Sequence, residues 1–138
     1  MSVESILVVD DEAFIGSSLM RALGGAGYSV DSVLSGEEAL EAVTQKNYSL
    51  ALVDINMPHM NGVETCRRIK KISPDLIVII ITGGEVICET EIAAAGGWAS
   101  LFKPFAHGEL QEKIKKALSE RGQTNGEFMP EKTALSSY

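Results

Sequence analysis

The segment "LALVDINMPHMNG", residues 50–62, gives the first indication of the fold. Its apolar residues 50–53 are typical of a strand that is covered on both faces, as in a parallel sheet. That strand leads directly into a carboxylate, Asp54, and the chain then turns between residues 57 and 62. Asp54 either caps this turn or is held at the rim of a sheet to do chemistry, and the rest of the chain must distinguish the two.

Apolar runs of the same kind recur along the chain and alternate with helical patterns. The runs occupy residues 5–9, 28–33, 49–53, 76–81 and 99–102. After each run, apolar residues recur at spacings of three and four, which predicts an amphipathic helix. Five such units with short loops and right-handed crossovers predict an α/β fold, a doubly wound sandwich with five parallel strands.

Capping and helix-breaking residues mark the ends of the predicted helices. Ser35 is predicted to cap the second helix, and Pro74 to stop the third. The periodic pattern ends near residue 120, and residues 121–138 are polar, contain Gly and Pro, and have no apolar period. Residues 4–120 are therefore predicted to form one domain, and residues 121–138 a linker or disordered tail without an output domain.

The composition limits the classes of function. The chain has 138 residues, 45% hydrophobic and 22% charged, which are values of a single soluble globular domain. Its net charge of -7 argues against direct, non-specific binding of nucleic acid. The amino-terminal residues lack the pattern of a signal peptide, and the longest apolar run, 76–81, is too short to cross a membrane. Cys66 and Cys88 lie in helical patterns and are expected to be free thiols in a reducing cytoplasm.

Polar groups follow four of the five predicted strands. Asp10-Asp11-Glu12 follows the first, Asp54 the third, Thr82-Gly83-Gly84 the fourth and Lys103-Pro104-Phe105 the fifth. In open parallel sheets, functional groups collect at the carboxyl ends of the strands. If the first and third strands are neighbours, Asp10, Asp11 and Asp54 converge.

Converging carboxylates repel one another by about 4 kcal/mol at about 4 Å and an effective dielectric near 20. A raised pKa or a bound cation relieves the repulsion, and oxygen ligands suit Mg²⁺. Lys103 would add a positive charge and Thr82 a hydroxyl donor, so the set suits a phosphoryl group. Singly, each residue could be a helix cap or a solvated charge, and only the joint placement favours a site. His59 and His107 are isolated and are expected to be surface residues.

The sequence closely resembles the receiver domain of two-component response regulators from residue 4 to about residue 120. The resemblance rests on four motifs in the family's order, namely "ILVVDDE", "LVDINMPHMNG", "IIITGG" and "LFKPF". It implies a flavodoxin-like (βα)5 sandwich with strand order 2-1-3-4-5. It also implies a signalling switch that modifies only itself, rather than an enzyme with an external substrate.

The resemblance further implies a metal-dependent phosphoacceptor. Asp54 matches the residue that takes a phosphoryl group from a sensor histidine kinase or a phosphotransfer protein. Asp11 and Asp54 match direct ligands of Mg²⁺, and Asn56 matches the position whose backbone carbonyl also binds the ion. Asp10 matches an acid that helps to hold the metal, often through water.

The same resemblance assigns the residues that respond to the phosphoryl group. Thr82 matches the hydroxyl that bonds a phosphoryl oxygen, and Lys103 the lysine that pairs with the phosphate. Pro104 matches a proline that follows this lysine in a cis peptide bond. The family usually has an aromatic switch residue three positions before the lysine, but this chain has Ser100. Our hypothesis is that Trp98 partly replaces that aromatic or marks a partner surface, the alternative being that it only packs the loop.

The site residues also bear on two other classes of function. A phosphatase or phosphotransferase of this type needs an acid two residues after the nucleophile, where this chain has Asn56. A constitutive pseudo-receiver that only binds is disfavoured by the complete acid, Thr and Lys set. The chain either docks onto a downstream protein or is the receiver part of a longer regulator with an output domain. The resemblance also implies a possible homodimer through the fourth helix, fifth strand and fifth helix.

Overall fold

The computed structural model describes residues 3–83 and 89–120, in which five strands alternate with five helices. The strands are β1 (Ser5–Val9), β2 (Ser29–Val33), β3 (Leu50–Asp54), β4 (Ile77–Thr82) and β5 (Ala99–Phe102). The helices are α1 (Ala13–Gly25), α2 (Gly36–Gln45), α3 (Gly62–Ile72), α4 (Glu89–Ala94) and α5 (His107–Ser119). The strand bounds differ from the predicted ones by at most one residue.

The five strands form one parallel sheet in the order β2-β1-β3-β4-β5. All five residues of β3 and all six of β4 are buried, as continuous apolar runs predict for strands covered on both faces. The predicted fold class and strand order are therefore confirmed. The order makes β1 and β3 neighbours, which is the condition for the acids to converge.

The core lies in two layers, one on each face of the sheet. Helices α1 and α5 cover one face through five buried residues, Leu19, Leu23, Leu110, Ile114 and Ala117. Helices α2, α3 and α4 cover the other through Ala39, Val43, Cys66, Ile69 and Ile92. Alternate residues of β3 pack into the two layers, because successive side chains of a strand point to opposite faces. The sheet is thus covered by helices on both faces.

Helix caps agree with the local sequence signals. The Ser35 hydroxyl accepts a hydrogen bond from the Glu38 N–H at 3.1 Å, which confirms the predicted cap of α2. The Asn61 side chain caps α3 in the same way, accepting from the Glu64 N–H at 2.9 Å. Asn61 was expected only to turn the chain, and it also starts the helix that follows. Helix α3 ends at Ile72, before the predicted stop at Pro74.

Some predictions fall on residues outside the described ranges. These are Cys88, the beginning of the predicted fourth helix and the polar tail, residues 121–138, so they stay predictions.

Cys66 is buried, its thiol donates to the Ala95 carbonyl at 3.4 Å, and burial raises its pKa to about 12. Among the described residues, no helix has the length and apolar character needed to span a membrane.

Candidate functional site

Four of the predicted site residues lie at the carboxyl edge of the sheet. Asp10 directly follows β1, Asp54 is the last residue of β3, Thr82 is the last residue of β4 and Lys103 directly follows β5. The register aligns Val9 with Val53, so that the residues after them, Asp10 and Asp54, come level on adjacent strands. The strand order and register alone therefore bring the predicted groups together.

Three carboxylates form the acidic cluster, which we define as Asp10, Asp11 and Asp54. One oxygen from each lies within 4.8 Å of the others. Asp10 and Asp54 are 2% and 5% exposed, whereas Asp11 is exposed. The cluster is thus buried on its protein side and open on the side of Asp11. Three carboxylate oxygens at this spacing are a donor set suited to a hard divalent cation such as Mg²⁺.

Lys103 supplies the positive charge beside the acidic cluster. Its Nζ lies 3.5 Å from Asp54 Oδ1 and 3.8 Å from Asp10 Oδ2. The Lys103 backbone N–H donates to the Thr82 carbonyl at 2.8 Å, which continues the β4–β5 hydrogen bonding past the end of β5. One ammonium is thereby shared between two buried carboxylates. The Lys103–Pro104 peptide bond is cis.

The pKa values of the two buried acids are raised. Burial, with a smaller contribution from Asp10, raises the pKa of Asp54 from 3.8 to about 6. Lys103 and the backbone N–H of Asn56 oppose this rise without cancelling it. Burial likewise raises the pKa of Asp10, although its carboxylate accepts from the Glu12 N–H at 2.9 Å. The site therefore has more negative charge than its single lysine offsets, which favours a cation.

Gly62 lets the loop after β3 fold back on the strand. The Gly62 N–H donates to the Ile55 carbonyl at 3.0 Å, which closes the loop that contains Asn56. A Cβ at position 62 would lie 2.4 Å from the Asp54 carbonyl oxygen and 2.6 Å from Ile55 Cα. Both contacts are to backbone, so only glycine allows this approach. The Asn61-Gly62 pair is a turn signal in the sequence, and its larger role is to hold the backbone that directly follows Asp54.

The other predicted positions are found in different environments. Asn56 is exposed, and its backbone N–H bonds the Asp54 carboxylate. Thr82 is 1% exposed and pairs in register with Phe102 of β5. His59 and His107 are both exposed, in agreement with their interpretation as surface residues.

Ser100 and Trp98, the two residues linked to the missing aromatic switch, are both buried. Trp98 is 3% exposed and packs in the core layer beneath α1 and α5. It therefore presents no surface to a partner and packs as the alternative interpretation expects. The hypothesis that Trp98 partly replaces the missing aromatic switch stays a prediction. Ser100 is 5% exposed, and its carbonyl accepts a hydrogen bond from Lys113 Nζ at 3.2 Å. Lys113 lies outside the predicted set of site residues, and its spacing of three from Leu110 is the sequence signal that places it in the buried stripe of α5.

Comparisons with known proteins agree with the geometry. A sequence model described as the response regulator receiver domain matches residues 6–115. The chain is 36% identical over 124 residues to the transcriptional regulatory protein ZraR of Salmonella typhimurium, covering 89% of this chain and 28% of that protein. It is 33% identical over 131 residues to the response regulator MprA of Mycobacterium sp. strain KMS, covering 94% and 57%. The chain therefore spans less than two thirds of either relative.

Solved structures show the same fold. A CheY-like receiver domain from Methanospirillum hungatei superposes with a TM-score of 0.84 at 32% identity, covering 88% of this chain and 98% of that one. The response regulator protein TrrA of Thermotoga maritima gives a TM-score of 0.76 at 36% identity, covering 83% and 98%. The TrrA structure is a complex with Mg²⁺ and BeF.

Proposed function

Because the chain belongs to the response regulator receiver domain family, we propose that it is a phosphorylation-controlled signalling switch whose phosphoacceptor is Asp54. The family membership confirms the resemblance that the four sequence motifs predicted. The observation that carries the proposal is the convergence of Asp10, Asp11 and Asp54 within 4.8 Å, with Lys103 Nζ 3.5 Å from Asp54. This is the arrangement expected where an anionic phosphoryl group must approach an anionic carboxylate.

Mg²⁺ is the cofactor that fits the acidic cluster best. Asp11 and Asp54 would bind the ion directly, the Asn56 carbonyl would add a ligand, and Asp10 would help to hold it. When bound, the ion would neutralise the charge of the phosphoryl oxygens. The raised pKa values of Asp10 and Asp54 support this assignment, because they reflect burial and charge repulsion that a cation would relieve.

The transfer step uses Asp54 as the nucleophile. Its carboxylate oxygen attacks the phosphorus of a phosphohistidine on the donor protein, and an O–P bond forms as the N–P bond breaks. The bonding electron pair returns to the imidazole nitrogen of the donor. With a pKa of about 6, Asp54 is mostly ionised at neutral pH and is able to attack. The buried end of β3 would hold the Asp54 carboxylate in line with the bond that breaks. Such positioning supplies much of the catalysis of phosphoryl transfer.

The phosphoryl group on Asp54 would be bound by side chains at the ends of β4 and β5. Lys103 already lies beside the reacting oxygen and would pair with the phosphoryl group. The Thr82 hydroxyl would donate to another phosphoryl oxygen. Both residues belong to one hydrogen-bonded strand pair, because the Lys103 N–H donates to the Thr82 carbonyl. A new bond to either would therefore affect both strands.

Partners and domain organisation form part of the proposal. The phosphoryl donor would be a sensor histidine kinase or a phosphotransfer protein in the cytoplasm. Residues 4–120 would be the receiver unit. The relatives' greater length supports a role beside an output domain, and docking onto a separate protein is the alternative. The face made by α4, β5 and α5 would be available for a homodimer.

Intact-mass spectrometry after incubation with acetyl phosphate and Mg²⁺ tests the assignment. The wild-type chain is expected to gain the mass of one phosphoryl group, and Asp54→Asn is expected to gain none. Asp75→Asn, an exposed acid just before β4, serves as the matched control and should be modified normally. Modification that persists in Asp54→Asn would place the phosphoacceptor elsewhere and contradict the proposal.

A further inference from the structure

Helix α5 carries a lysine in the stripe that faces the sheet. The buried residues of this helix are Leu110, Lys113, Ile114 and Ala117. Lys113 is only 8% exposed, whereas the flanking Lys115 and Lys116 are exposed. Lysine is almost never fully buried without a partner, because its ammonium loses hydration. This position therefore has to be explained by the contact that the side chain makes.

The contact is with the backbone of β5. Lys113 Nζ donates to the Ser100 carbonyl oxygen at 3.2 Å. Within the part of the chain that the structure describes, Lys113 forms no salt bridge. Burial lowers its pKa, which reflects the cost of keeping the charge there. A leucine or methionine would fill the same space without that cost but would leave the Ser100 carbonyl without this donor, so the hydrogen bond is what distinguishes a lysine here.

Ser100 belongs to the segment that ends in the site. It lies three residues before Lys103 on the same continuous stretch of chain, β5 and the residue after it. An extended strand is stiff, with a rise of about 3.3 Å per residue. Lys103 Nζ contacts Asp54, and its N–H is bonded to β4. A shift of the Lys103 backbone, as its ammonium pairs with a phosphoryl group on Asp54, would therefore displace Ser100 along with it.

Helix α5 is attached to β5 at two places. The first is the covalent link, residues 103–106, at the amino-terminal end of the helix. The second is the bond from Lys113 to the Ser100 carbonyl, in the middle of the helix. With the first attachment alone, the body of α5 would follow β5 only through apolar packing, which has no fixed direction. The hydrogen bond adds a directional link between the two elements.

We infer that Lys113 is a positioning residue that couples helix α5 to strand β5, so that phosphorylation of Asp54 is passed from Lys103 through Ser100 to the exposed face of α5. This inference rests on the proposed function. It gives Ser100 a role through its backbone carbonyl, which requires no aromatic side chain at that position. The exposed face of α5, which includes Lys115 and Lys116, is where a downstream protein would detect the change.

Amide hydrogen exchange in α5, with and without Mg²⁺ and beryllofluoride, tests the coupling. Beryllofluoride is used because it mimics a phosphoryl group on a carboxylate. Lys113→Met keeps the unbranched stem and removes the ammonium, and Lys116→Met removes an exposed ammonium from the same helix. The wild type and Lys116→Met are expected to change exchange in α5 on adding beryllofluoride. Lys113→Met is expected to lose more than half of that change.

Phosphorylation by acetyl phosphate, measured by intact mass, separates the two proposals. Lys113→Met is expected to gain one phosphoryl group as the wild type does, which shows that the variant is folded and its site intact. Lys113→Gln keeps a neutral N–H donor and is expected to recover part of the α5 response. Normal modification with an undiminished α5 response in Lys113→Met would overturn the coupling alone. A wild type that gains no phosphoryl group would overturn the proposed function and the coupling with it.

Discussion

Asp54 and Asp31 each lie beside a lysine, yet their pKa values are shifted in opposite directions. Asp54 is 5% exposed, and Lys103 Nζ is 3.5 Å from its nearer oxygen. Asp31, on the edge strand β2, accepts from the Tyr48 hydroxyl at 2.7 Å and from Lys46 Nζ at 2.9 Å. The pKa of Asp54 is raised to about 6, mainly by burial, and that of Asp31 is lowered, mainly by the Tyr48 hydrogen bond.

The difference shows that a neighbouring lysine does not by itself make a stabilising ion pair. Asp31 is partly hydrated and receives two direct donors, so its charged form is favoured in the folded protein. Asp54 is buried next to a second acid, and a shared ammonium only partly offsets these effects. A rise in pKa from 3.8 to about 6 corresponds to a destabilisation on the order of 3 kcal/mol. The contacts of Asp31 stabilise the folded state. The acidic cluster destabilises it, and that cost favours the binding of a cation.

Replacing Asp54 should give one of the two largest effects, equalled by the replacement of Lys103. Since the pKa of Asp54 is higher in the folded state than the ordinary 3.8, the folded protein loses stability as the pH rises from about 3.8 to about 6. Asp54→Asn in a metal chelator should therefore raise the free energy of unfolding by about 2 kcal/mol at pH 8. At about pH 4, where the wild-type carboxyl is protonated in the folded state, the gain should nearly vanish. Urea denaturation at the two pH values measures it.

Asp75→Asn is the control for that measurement, because Asp75 is exposed and lies outside the acidic cluster. Its free energy of unfolding should change little at either pH. A destabilised Asp54→Asn at pH 8 would show that the pair with Lys103 outweighs burial and repulsion, which would remove the contrast with Asp31.

Replacing Lys103 should act in the opposite direction. Lys103→Met removes the ammonium that faces Asp54 and Asp10, so both carboxylates lose their attraction to it. We expect a loss of about 2 kcal/mol in the free energy of unfolding at pH 8, because the two acids are then buried without a cation. The loss should shrink below about pH 5, as the acids protonate. Lys115→Met, an exposed lysine of α5, is the control, and equal losses for the two variants would count against the ion pair.

Addition of Mg²⁺ should stabilise the wild type by a smaller amount. A ligand that binds only the folded state, at ten times its dissociation constant, adds about 1.4 kcal/mol to the free energy of unfolding. Asp11→Asn removes an exposed member of the acidic cluster and should abolish most of this gain. Thermal unfolding with Mg²⁺ or with a chelator measures both. An equal gain in wild type and Asp11→Asn would place the ion away from the acidic cluster.

The sequence predicted the strands and the meeting of the acids, since both follow from local patterns and from one topological rule. Residues 50–53 are continuously apolar, so their burial and the placement of Asp54 at a strand end could be predicted. The bonds of Asp31 could not, because Lys46 and Tyr48 are 15 and 17 residues away along the chain and meet it only in the folded sheet. The raised pKa of Asp54 and the contact of Lys113 likewise depend on distances that no periodicity specifies.

Replacing Asp31 should give the smallest effect, and of the opposite sign to Asp54→Asn. Its lowered pKa means that its contribution is present at neutral pH and is lost as the pH falls below the ordinary 3.8. Because its side chain is 46% exposed and screened by solvent, Asp31→Asn should lower the free energy of unfolding by less than about 1 kcal/mol at pH 7. Tyr48→Phe removes the closer of its two donors, and the double variant should lose less than the sum of the single losses. Additive losses would show that the Tyr48 hydrogen bond contributes nothing, and the contrast with Asp54 would then rest on burial alone.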